Sequence, residues 1–372
     1  MRPTRAEIDL KALQFNYEGI RKKVGKNIKV MGIVKANAYG HGIIDISQAL
    51  IRFGTEFLGT ALLEEGIFLR KHGISVPILI LGGVGESHLQ QVQAYNLDVN
   101  VPSFQSARRI DEALESIDRD ARIRVHLEID TGMSRTGASI HEAQRFVEES
   151  VRLKHLEVVG VFSHFATSDE KDKSFAYQQL EQFDTLIRKL RGNGIEIPLV
   201  HIANSGAILD MKDSYYSMVR PGIMLYGIYP SETTSESIPL KPVLSLKSNV
   251  SFLKTVPAGT SISYGRTHFT ASTTTIATIP IGYVDGYSRR LSHQAEVLIR
   301  GRRYPVVGTI CMDHLMVDVG MDSAISLGDS VVLIGEDQNE AITVEELSKK
   351  LGTVTYEILT GISARIPRIT IQ

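Results

Sequence analysis

A single cysteine, Cys311, stands in 372 residues. One thiol can close no intramolecular disulfide and can found no cysteine-based metal cluster, so no metal site is expected. Charge of one sign is equally without excess: 41 lysines and arginines face 42 aspartates and glutamates, a net of -1. There is no long basic run either, which argues against nucleic acid or an anionic membrane as the main partner and in favour of a small substrate. No uninterrupted apolar stretch approaches the roughly 20 residues of a membrane span. Met1–Glu7 carries no apolar core of a leader peptide, and the chain is expected in the cytoplasm. Internal repeats and low-complexity segments are lacking too. What the chain does have is 43% hydrophobic residues, over a length that suffices for a large core and two domains.

From Asp9 to about Val24, the apolar residues Leu10, Leu13, Tyr17 and Ile20 recur at helical spacing and predict an amphipathic helix. Eight short apolar runs then read as strands: Lys29–Val34, Glu56–Thr60, Pro77–Leu81, Leu97–Val101, Arg122–Ile129, Leu156–Phe162, Ile197–Ile202 and Met218–Tyr226. Helix candidates lie between them, namely Ile43–Phe53, Leu62–His72, Glu86–Tyr95, Gln105–Ile117, Ile140–Arg152 and Phe175–Arg191. Strands alternating with helices imply parallel pairing through right-handed crossovers. Eight such units over about 200 residues fit an α/β fold, a (β/α)8 TIM barrel with its active site at the carboxyl ends of the strands.

The polar stretch Ser231–Ser237 reads as a linker or exposed loop. Beyond it, Val243–Val256, Thr274–Ile281, Ala295–Arg300, Tyr304–Ile310, Leu315–Val319 and Ser330–Ile334 are strand-like. One helix, Thr343–Leu351, interrupts them, with Thr343 as N-cap and Glu346 completing a capping-box pattern. The expected organisation is residues 1–236 as the cofactor-binding barrel, with the first residues as candidates to join the other domain, and 237–372 as a mainly β C-terminal domain.

Lys35 closes the apolar run Val30–Val34. A lysine at the end of a buried strand is costly to leave charged and unpaired, so it snorkels, pairs, or becomes a reactive amine of lowered pKa. Taken alone, snorkelling is the better reading. The neighbours shift the balance: Ala36, Ala38 and Gly40 clear space beside the amine, and Tyr39 lies in reach of an anion at a helix start. Such a lysine suits a Schiff base with a phosphate-bearing aldehyde such as pyridoxal phosphate. On a barrel, further polar residues gather at the same rim: Arg135 after strand five, His164 at the end of strand six, Asn204 and Ser205 after strand seven, and Arg220 to Ile223 at strand eight. Barrel phosphate sites are frequently built from the loops after strands seven and eight, so Ser205 and the amides of Gly222 and Ile223 form the natural cradle. Each residue alone has an ordinary reading, His164 as a core histidine and Ser205 as a helix N-cap. Their convergence is what points to a site.

The segments Val34–Gly42, Asp130–Gly137, Ser163–Thr167, His201–Ser205, Arg220–Tyr226, Ser263–Gly265, Ile279–Gly286 and Gly308–Asp313 closely resemble those of alanine racemases, in that family's order along nearly the whole chain. The resemblance implies a pyridoxal-phosphate isomerase that interconverts L- and D-alanine, the latter a peptidoglycan precursor. It implies a barrel plus a β-domain, working as a head-to-tail homodimer with two shared active sites. Lys35 would then hold the cofactor and act as base on one face of the substrate, and Tyr264, reaching in from the partner's β-domain, would serve the other. Tyr39, Ser205, Gly222 and Ile223 would hold the phosphate, with Asn204 among the cofactor-binding residues. Arg220 would face the pyridine nitrogen. A guanidinium does not give up its proton, so the ring nitrogen stays unprotonated, the electron sink is weakened, and racemisation is favoured over transamination. His164 would link Arg220 to Tyr264. Arg135 and the backbone N–H of Met312 from the partner would grip the substrate carboxylate, with Asp313 nearby.

Two positions depart from the family's pattern. Glu128 stands where many members carry a lysine, often carbamylated, and is expected to supply the same negative charge to orient Arg135. Ala364 stands where many have a tyrosine, ahead of Arg365–Arg368, and is expected to widen the pocket enough to admit serine. The alternatives are a serine or broad-specificity amino-acid racemase, a fold-related decarboxylase, and a non-catalytic pyridoxal-phosphate carrier. The decarboxylases resembling this fold place an acid where Arg220 stands and a Cys-Asp pair where Cys311 is followed by Met312. A carrier built on the barrel alone leaves Tyr264 without a role.

Overall fold

Lys29–Ile33, Phe57–Thr60, Ile78–Gly83, Asp98–Val101, Ile123–Asp130, Leu156–Phe162, Leu199–His201 and Met218–Val219 run parallel, side by side, in the computed structural model, which describes residues 2–322 and 324–371. Strands covered on both faces need near-continuous apolar runs, and every residue of Phe57–Thr60 and of Asp98–Val101 is buried. The eighth strand pairs with the first, Met218 opposite Lys29 and Val219 opposite Val30. Seventh and eighth share no ladder. Two backbone bonds join them instead, Ser217 N–H to the Val200 carbonyl at 3.2 Å and Arg220 N–H to the Ala203 carbonyl at 2.9 Å. With the crossover helices Ile43–Phe53, Leu63–Lys71, Leu89–Ala94, Phe104–Ile117, Ile140–Ser150 and Ser174–Gly192 around it, this is the (β/α)8 barrel that the alternation predicts.

Some expected elements are broken. The run Met218–Tyr226 is extended only over its first two residues, then passes through Pro221 and Gly222 into a 3-10 turn, Ile223–Tyr226, that is buried throughout. Proline has no N–H for a ladder, and an apolar run signals burial without saying which backbone carries it. Glu86–Tyr95 divides into a 3-10 turn, Glu86–His88, and the helix Leu89–Ala94. The stretch Ser231–Ser237 is strapped down by its own hydroxyls: Ser231 donates to the Asp169 carbonyl and Ser237 to the Leu209 carbonyl at 3.0 Å.

The chain divides into two compact units, one of Ala12–Ala38 with Ile43–Lys241, the other of the chain up to Lys11, Tyr39–Gly42 and everything from Pro242 on. The second unit is mainly β. Arg5–Asp9, in which Ala6 and Ile8 turn inward and the charged residues outward, pairs antiparallel with Leu244–Asn249 and parallel with Arg368–Ile371. The expected strand Val243–Val256 is in fact two, Leu244–Asn249 and Phe252–Val256. Thr343 caps the helix Val344–Leu351 by accepting the Glu346 N–H at 3.1 Å. The Glu346 carboxylate does not return to the cap; it binds Arg303 at 3.1 Å and Lys350 at 3.0 Å. A second helix, Thr355–Gly361, has no side-chain cap and no expectation in the sequence. Among the described residues no helix is long and apolar enough to cross a membrane, and no group of three or more His, Cys, Asp or Glu side chains could hold a metal ion.

Candidate active site

Beyond Lys35 the backbone turns the wrong way for L-amino acids. Ala36, Asn37, Ala38 and Tyr39 have φ of 52, 55, 53 and 52°, one turn of left-handed helix, and Gly40 follows at 85°. Left-handed helix costs roughly 1–2 kcal/mol per residue, so four in a row store on the order of 4–8 kcal/mol. The surroundings hold the turn in place. Ala36 N–H donates to Glu65 Oε1 at 2.6 Å, Glu65 Oε2 takes the N–H groups of Ala61 and Leu62, and Ala38 N–H donates to the Val34 carbonyl at 2.8 Å. Asn37 Oδ1 accepts the Ile43 N–H at 2.9 Å and so ties the turn to the helix that follows. Gly40 is required, since a Cβ there would sit 2.2 Å from the Leu359 carbonyl oxygen. The exposed Ala36 tests the conformation: Ala36→Gly is expected to leave stability unchanged or raise it by up to about 1 kcal/mol, because relief of the left-handed strain offsets glycine's extra unfolded-state entropy. In an ordinary helix it would cost about 1 kcal/mol. A urea midpoint lowered by that much would rule the left-handed turn out.

The Lys35 amine is half-buried and makes no hydrogen bond or ion pair among the described residues. Burial first, then the nearby charges of Arg135 and Arg220, pull its pKa below that of an ordinary lysine, with Glu65 pulling the other way. That is the condition of a nucleophilic amine rather than a solvated cation.

Arg220 is 4% exposed. Its Nη1 donates to His201 Nδ1 at 2.7 Å, and its Nη2 to the Ser163 carbonyl at 2.8 Å, to His164 Nδ1 at 3.2 Å and to the Ile202 carbonyl at 3.2 Å. The guanidinium also lies over the Phe162 ring, 5.4 Å from its centroid. Burial lowers its pKa to about 10, opposed by Glu128, so it stays a cation at neutral pH. Among the described residues its Nε has no acceptor. His164 is pushed down to about 3, by burial and then by Arg220, Arg135 and Lys35, and is therefore neutral. With Nδ1 accepting from Arg220, its one proton is on Nε2, free to be donated.

After the seventh strand, Asn204 rather than Ser205 is the N-cap. Its Oδ1 accepts the Ala207 N–H at 3.1 Å and the Ser168 hydroxyl at 2.7 Å. Ser205 Oγ accepts the Gly222 N–H at 2.9 Å, so these two cradle residues meet. Ser205, Gly206 and Ile223 are buried, yet among the described residues none of their backbone N–H groups has an acceptor. Buried, unpaired N–H donors are rare in folded proteins unless a ligand takes them. Their convergence suits the oxygens of a phosphate.

Arg135 lies exposed on the glycine-bearing loop after the fifth strand, near enough for its charge to act on Lys35, His164 and Arg220. Glu128 does not bind its guanidinium. The carboxylate, 5% exposed, accepts Asn100 Nδ2 at 2.6 Å and the Thr136 hydroxyl at 2.9 Å, and so acts on the residue next to Arg135. Gly137 lets the loop fold back this closely, for a Cβ there would lie 2.9 Å from the Asp130 nitrogen and 3.2 Å from Glu128 Cγ. In Glu128→Gln the oxygen can keep Asn100 Nδ2 and the amide N–H can turn the Thr136 hydroxyl from donor to acceptor, but the charge that strengthens both bonds is lost. The expected cost is on the order of 1–3 kcal/mol in kcat/KM, with no dependence on added bicarbonate in either enzyme. An unchanged kcat/KM would give Glu128 a packing role only.

The other sequence-derived residues are in the β unit. Tyr264 is 73% exposed, on a loop strained at Ser263 and Arg266 with φ of 65 and 48°. The Thr309 hydroxyl donates to the Tyr264 carbonyl at 2.9 Å and the Ser263 hydroxyl to the Thr309 carbonyl, which ties this loop to the one bearing Met312, 52% exposed, and Asp313. Asp313 pairs with Arg365 at 2.9 Å. Tyr39 is buried, its ring 5.9 Å from that of Tyr356, and burial raises its hydroxyl pKa. Sequence reasoning assigned no role to Glu65, Asn100, His126 or His201. The one available signal was a histidine on each of two strands, His126 between Val125 and Leu127 and His201 after Leu199 and Val200.

A barrel rim with a pKa-lowered lysine, unpaired amide donors after strands seven and eight, and a buried arginine with a spare Nε donor defines a pyridoxal-phosphate enzyme of the barrel-plus-β-domain class. The residues fit that cofactor: Lys35 for its aldehyde, the amides of Ser205, Gly206 and Ile223 for its phosphate, and Arg220 for its ring nitrogen. Comparison with known proteins narrows the class. The alanine racemase N-terminal domain model matches residues 8–230 and the C-terminal domain model residues 243–370. Alanine racemase 2 of Caldanaerobacter subterraneus subsp. tengcongensis is 45% identical over 100% of this chain and 95% of its own length. The solved alanine racemase of Clostridium difficile 630 superposes with a TM-score of 0.94 at 38% identity, over 99% of this chain and 96% of that one. A histidine racemase from Leuconostoc mesenteroides superposes almost as well, TM-score 0.92, over 100% of this chain and 98% of its own, but at 27% identity. The chain belongs to the alanine racemase family, whose members are pyridoxal-phosphate-dependent isomerases.

Proposed function

We propose that this protein interconverts L- and D-alanine by two-base proton transfer, as a cytoplasmic homodimer whose two sites each take residues from both subunits. The observation that carries the reading is the pairing of a lysine of lowered pKa with a buried arginine that can only donate. Pyridoxal phosphate, when bound, supplies an aldehyde for amino groups and a conjugated ring that makes the substrate's α-proton removable. Lys35 Nζ moves a proton at one face of the α-carbon, and Tyr264 Oη of the partner subunit moves one at the opposite face; inversion needs a carrier on each side. The exposure of Tyr264 and Met312 supports their serving a second copy. His164, neutral with its proton on Nε2, can donate to the Tyr264 oxygen and ease loss of the phenolic proton. Arg220, donating without releasing its proton, limits how far charge is drawn into the ring and so favours racemisation over transamination. Arg135 orients the substrate carboxylate with the partner's Met312 N–H, and Asp313 acts through its pair with Arg365.

Alanine is favoured over histidine by identity, since the fold alone serves both. A panel of L-amino acids followed by loss of optical rotation tests this. Alanine is expected to turn over fastest, serine next, and histidine negligibly. In Ala364→Tyr the serine-to-alanine ratio of kcat/KM should fall, by about 1–3 kcal/mol if the new ring fills the space beside the substrate's β-carbon. Serine or histidine outpacing alanine would replace the substrate assignment.

A further inference from the structure

Four buried side chains of the barrel form one line that ends at Arg220. Arg220 Nη1 lies 2.7 Å from His201 Nδ1, and His201 Nε2 lies 2.9 Å from His126 Nδ1. His126 Nε2 lies 3.6 Å from Asp98 Oδ2, whose other oxygen is held by Arg124 at 2.6 Å. His126 and His201 have no exposed surface and Asp98 is 1% exposed.

The direction of the line follows from its two ends. A guanidinium has only protons to give, so His201 Nδ1 must offer a lone pair, and neutral His201 carries its single proton on Nε2. Burial and the Arg220 charge, which hold the His201 pKa well below the ordinary range, agree with its neutrality. That Nε2 proton needs an acceptor, which makes His126 Nδ1 a bare lone pair and puts the proton of His126 on Nε2. There it faces Asp98, too far for a hydrogen bond but close enough for the carboxylate to favour this tautomer. The barrel makes room for the arrangement at Gly160, where a Cβ would stand 2.1 Å from His126 Nδ1, the accepting atom. Phe162 completes it, its ring parallel to that of His201 within 1° at 5.0 Å.

We propose that His126, backed by Asp98, is a positioning residue for Arg220: by accepting the His201 Nε2–H it fixes the orientation of the His201 ring and so aims the remaining guanidinium donors at the cofactor's ring nitrogen. This rests on reading Arg220 as the ring-nitrogen partner. Removing the acceptor orphans the His201 Nε2–H, and the ring, held then only by Arg220 at Nδ1 and by its stacking on Phe162, is free to turn and carry its lone pair out of line with Nη1. Glutamine can replace both functions of His126, since its oxygen accepts and its amide N–H donates; leucine can replace neither.

The test uses the full-length protein labelled with 15N-histidine, first without cofactor. Both His126 and His201 should show protonated Nε2 and bare Nδ1. His126→Gln should keep the His201 Nε2–H at its hydrogen-bonded chemical shift, while His126→Leu should move it upfield. In the loaded enzyme His126→Leu should lose about tenfold in kcat, the scale of one charge-assisted hydrogen bond, with KM little changed and a larger share of turnovers ending in transamination. His126→Gln should restore most of that loss. Arg220→Lys serves as the control: a partition that Arg220→Lys shifts and His126→Leu does not would overturn the proposal, and one that Arg220→Lys does not shift would overturn the reading of Arg220. A protonated Nδ1 on His126 in the wild type, or equal impairment by leucine and glutamine, would also overturn the proposal. The first result bears on the folded apoprotein and stands even if the leucine variant fails to fold.

Discussion

Lys35→Ala and Tyr264→Ala homodimers are each expected to lose racemisation, and a mixture allowed to exchange subunits is expected to regain it. Each variant lacks the proton carrier of one face, and the other carrier alone can remove a proton and return it only to the side it came from. The two residues belong to different compact units, Lys35 to the barrel and Tyr264 to the β unit. If a site takes Lys35 from one subunit and Tyr264 from the other, a heterodimer has one site with both defects and one with neither. Random exchange in an equal mixture makes half the dimers heterodimers, so recovery should reach about a quarter of wild-type specific activity. Recovery near zero would place both groups of a site on one chain. Lys35→Ala should also lose the absorbance of the lysine-bound cofactor, and Tyr264→Ala should keep it. That separates failure to hold the cofactor from failure to move a proton.

Arg220→Lys should also be costly, although it keeps the charge. Arg220 spreads its donors over His201, His164 and the carbonyls of Ser163 and Ile202, a planar fork that a single ammonium cannot reproduce. At least two buried acceptors would be left unpaired, and the group facing the ring nitrogen would become one that can release its proton. The expected loss is on the order of 2–4 kcal/mol of transition-state stabilisation, most of it in kcat, with a rise in transamination. A lysine variant within a few-fold of wild type would mean that charge alone is needed at this position.

Most of the barrel was legible because parallel strands buried on both faces are written as short, nearly unbroken apolar runs, and the first seven were placed within two residues or so at their ends. The eighth was not, since Ile223–Tyr226 is as apolar as a strand and is buried in a 3-10 turn. Arg5–Asp9 escaped because its two inward residues are too few for periodicity, and its partners lie at the far end of the chain. The turn after Lys35 escaped for a different reason. Alanine favours right-handed helix locally, and only the contacts of Glu65 and Asn37, brought in by the fold, show what reverses it. In the site, the gathering of Lys35, Arg135, His164, Ser205 and Arg220 at one rim follows from strand order alone. The partners of Glu128 do not, because they depend on Asn100 of the neighbouring strand and on a loop folding back at Gly137. Nor does the line from Arg220 to Asp98, which crosses four strands through the barrel interior.

Inversion at the α-carbon by proton exchange, with no loss of the carboxylate, is measured most directly on L-alanine incubated with the enzyme in D2O and followed by optical rotation, mass and released carbon dioxide. Rotation should fall to zero, with deuterium at the α-carbon of the D-alanine formed and no carbon dioxide. Deuterium entering L-alanine while its rotation persists, or carbon dioxide released in step with substrate loss, would contradict inversion by proton exchange.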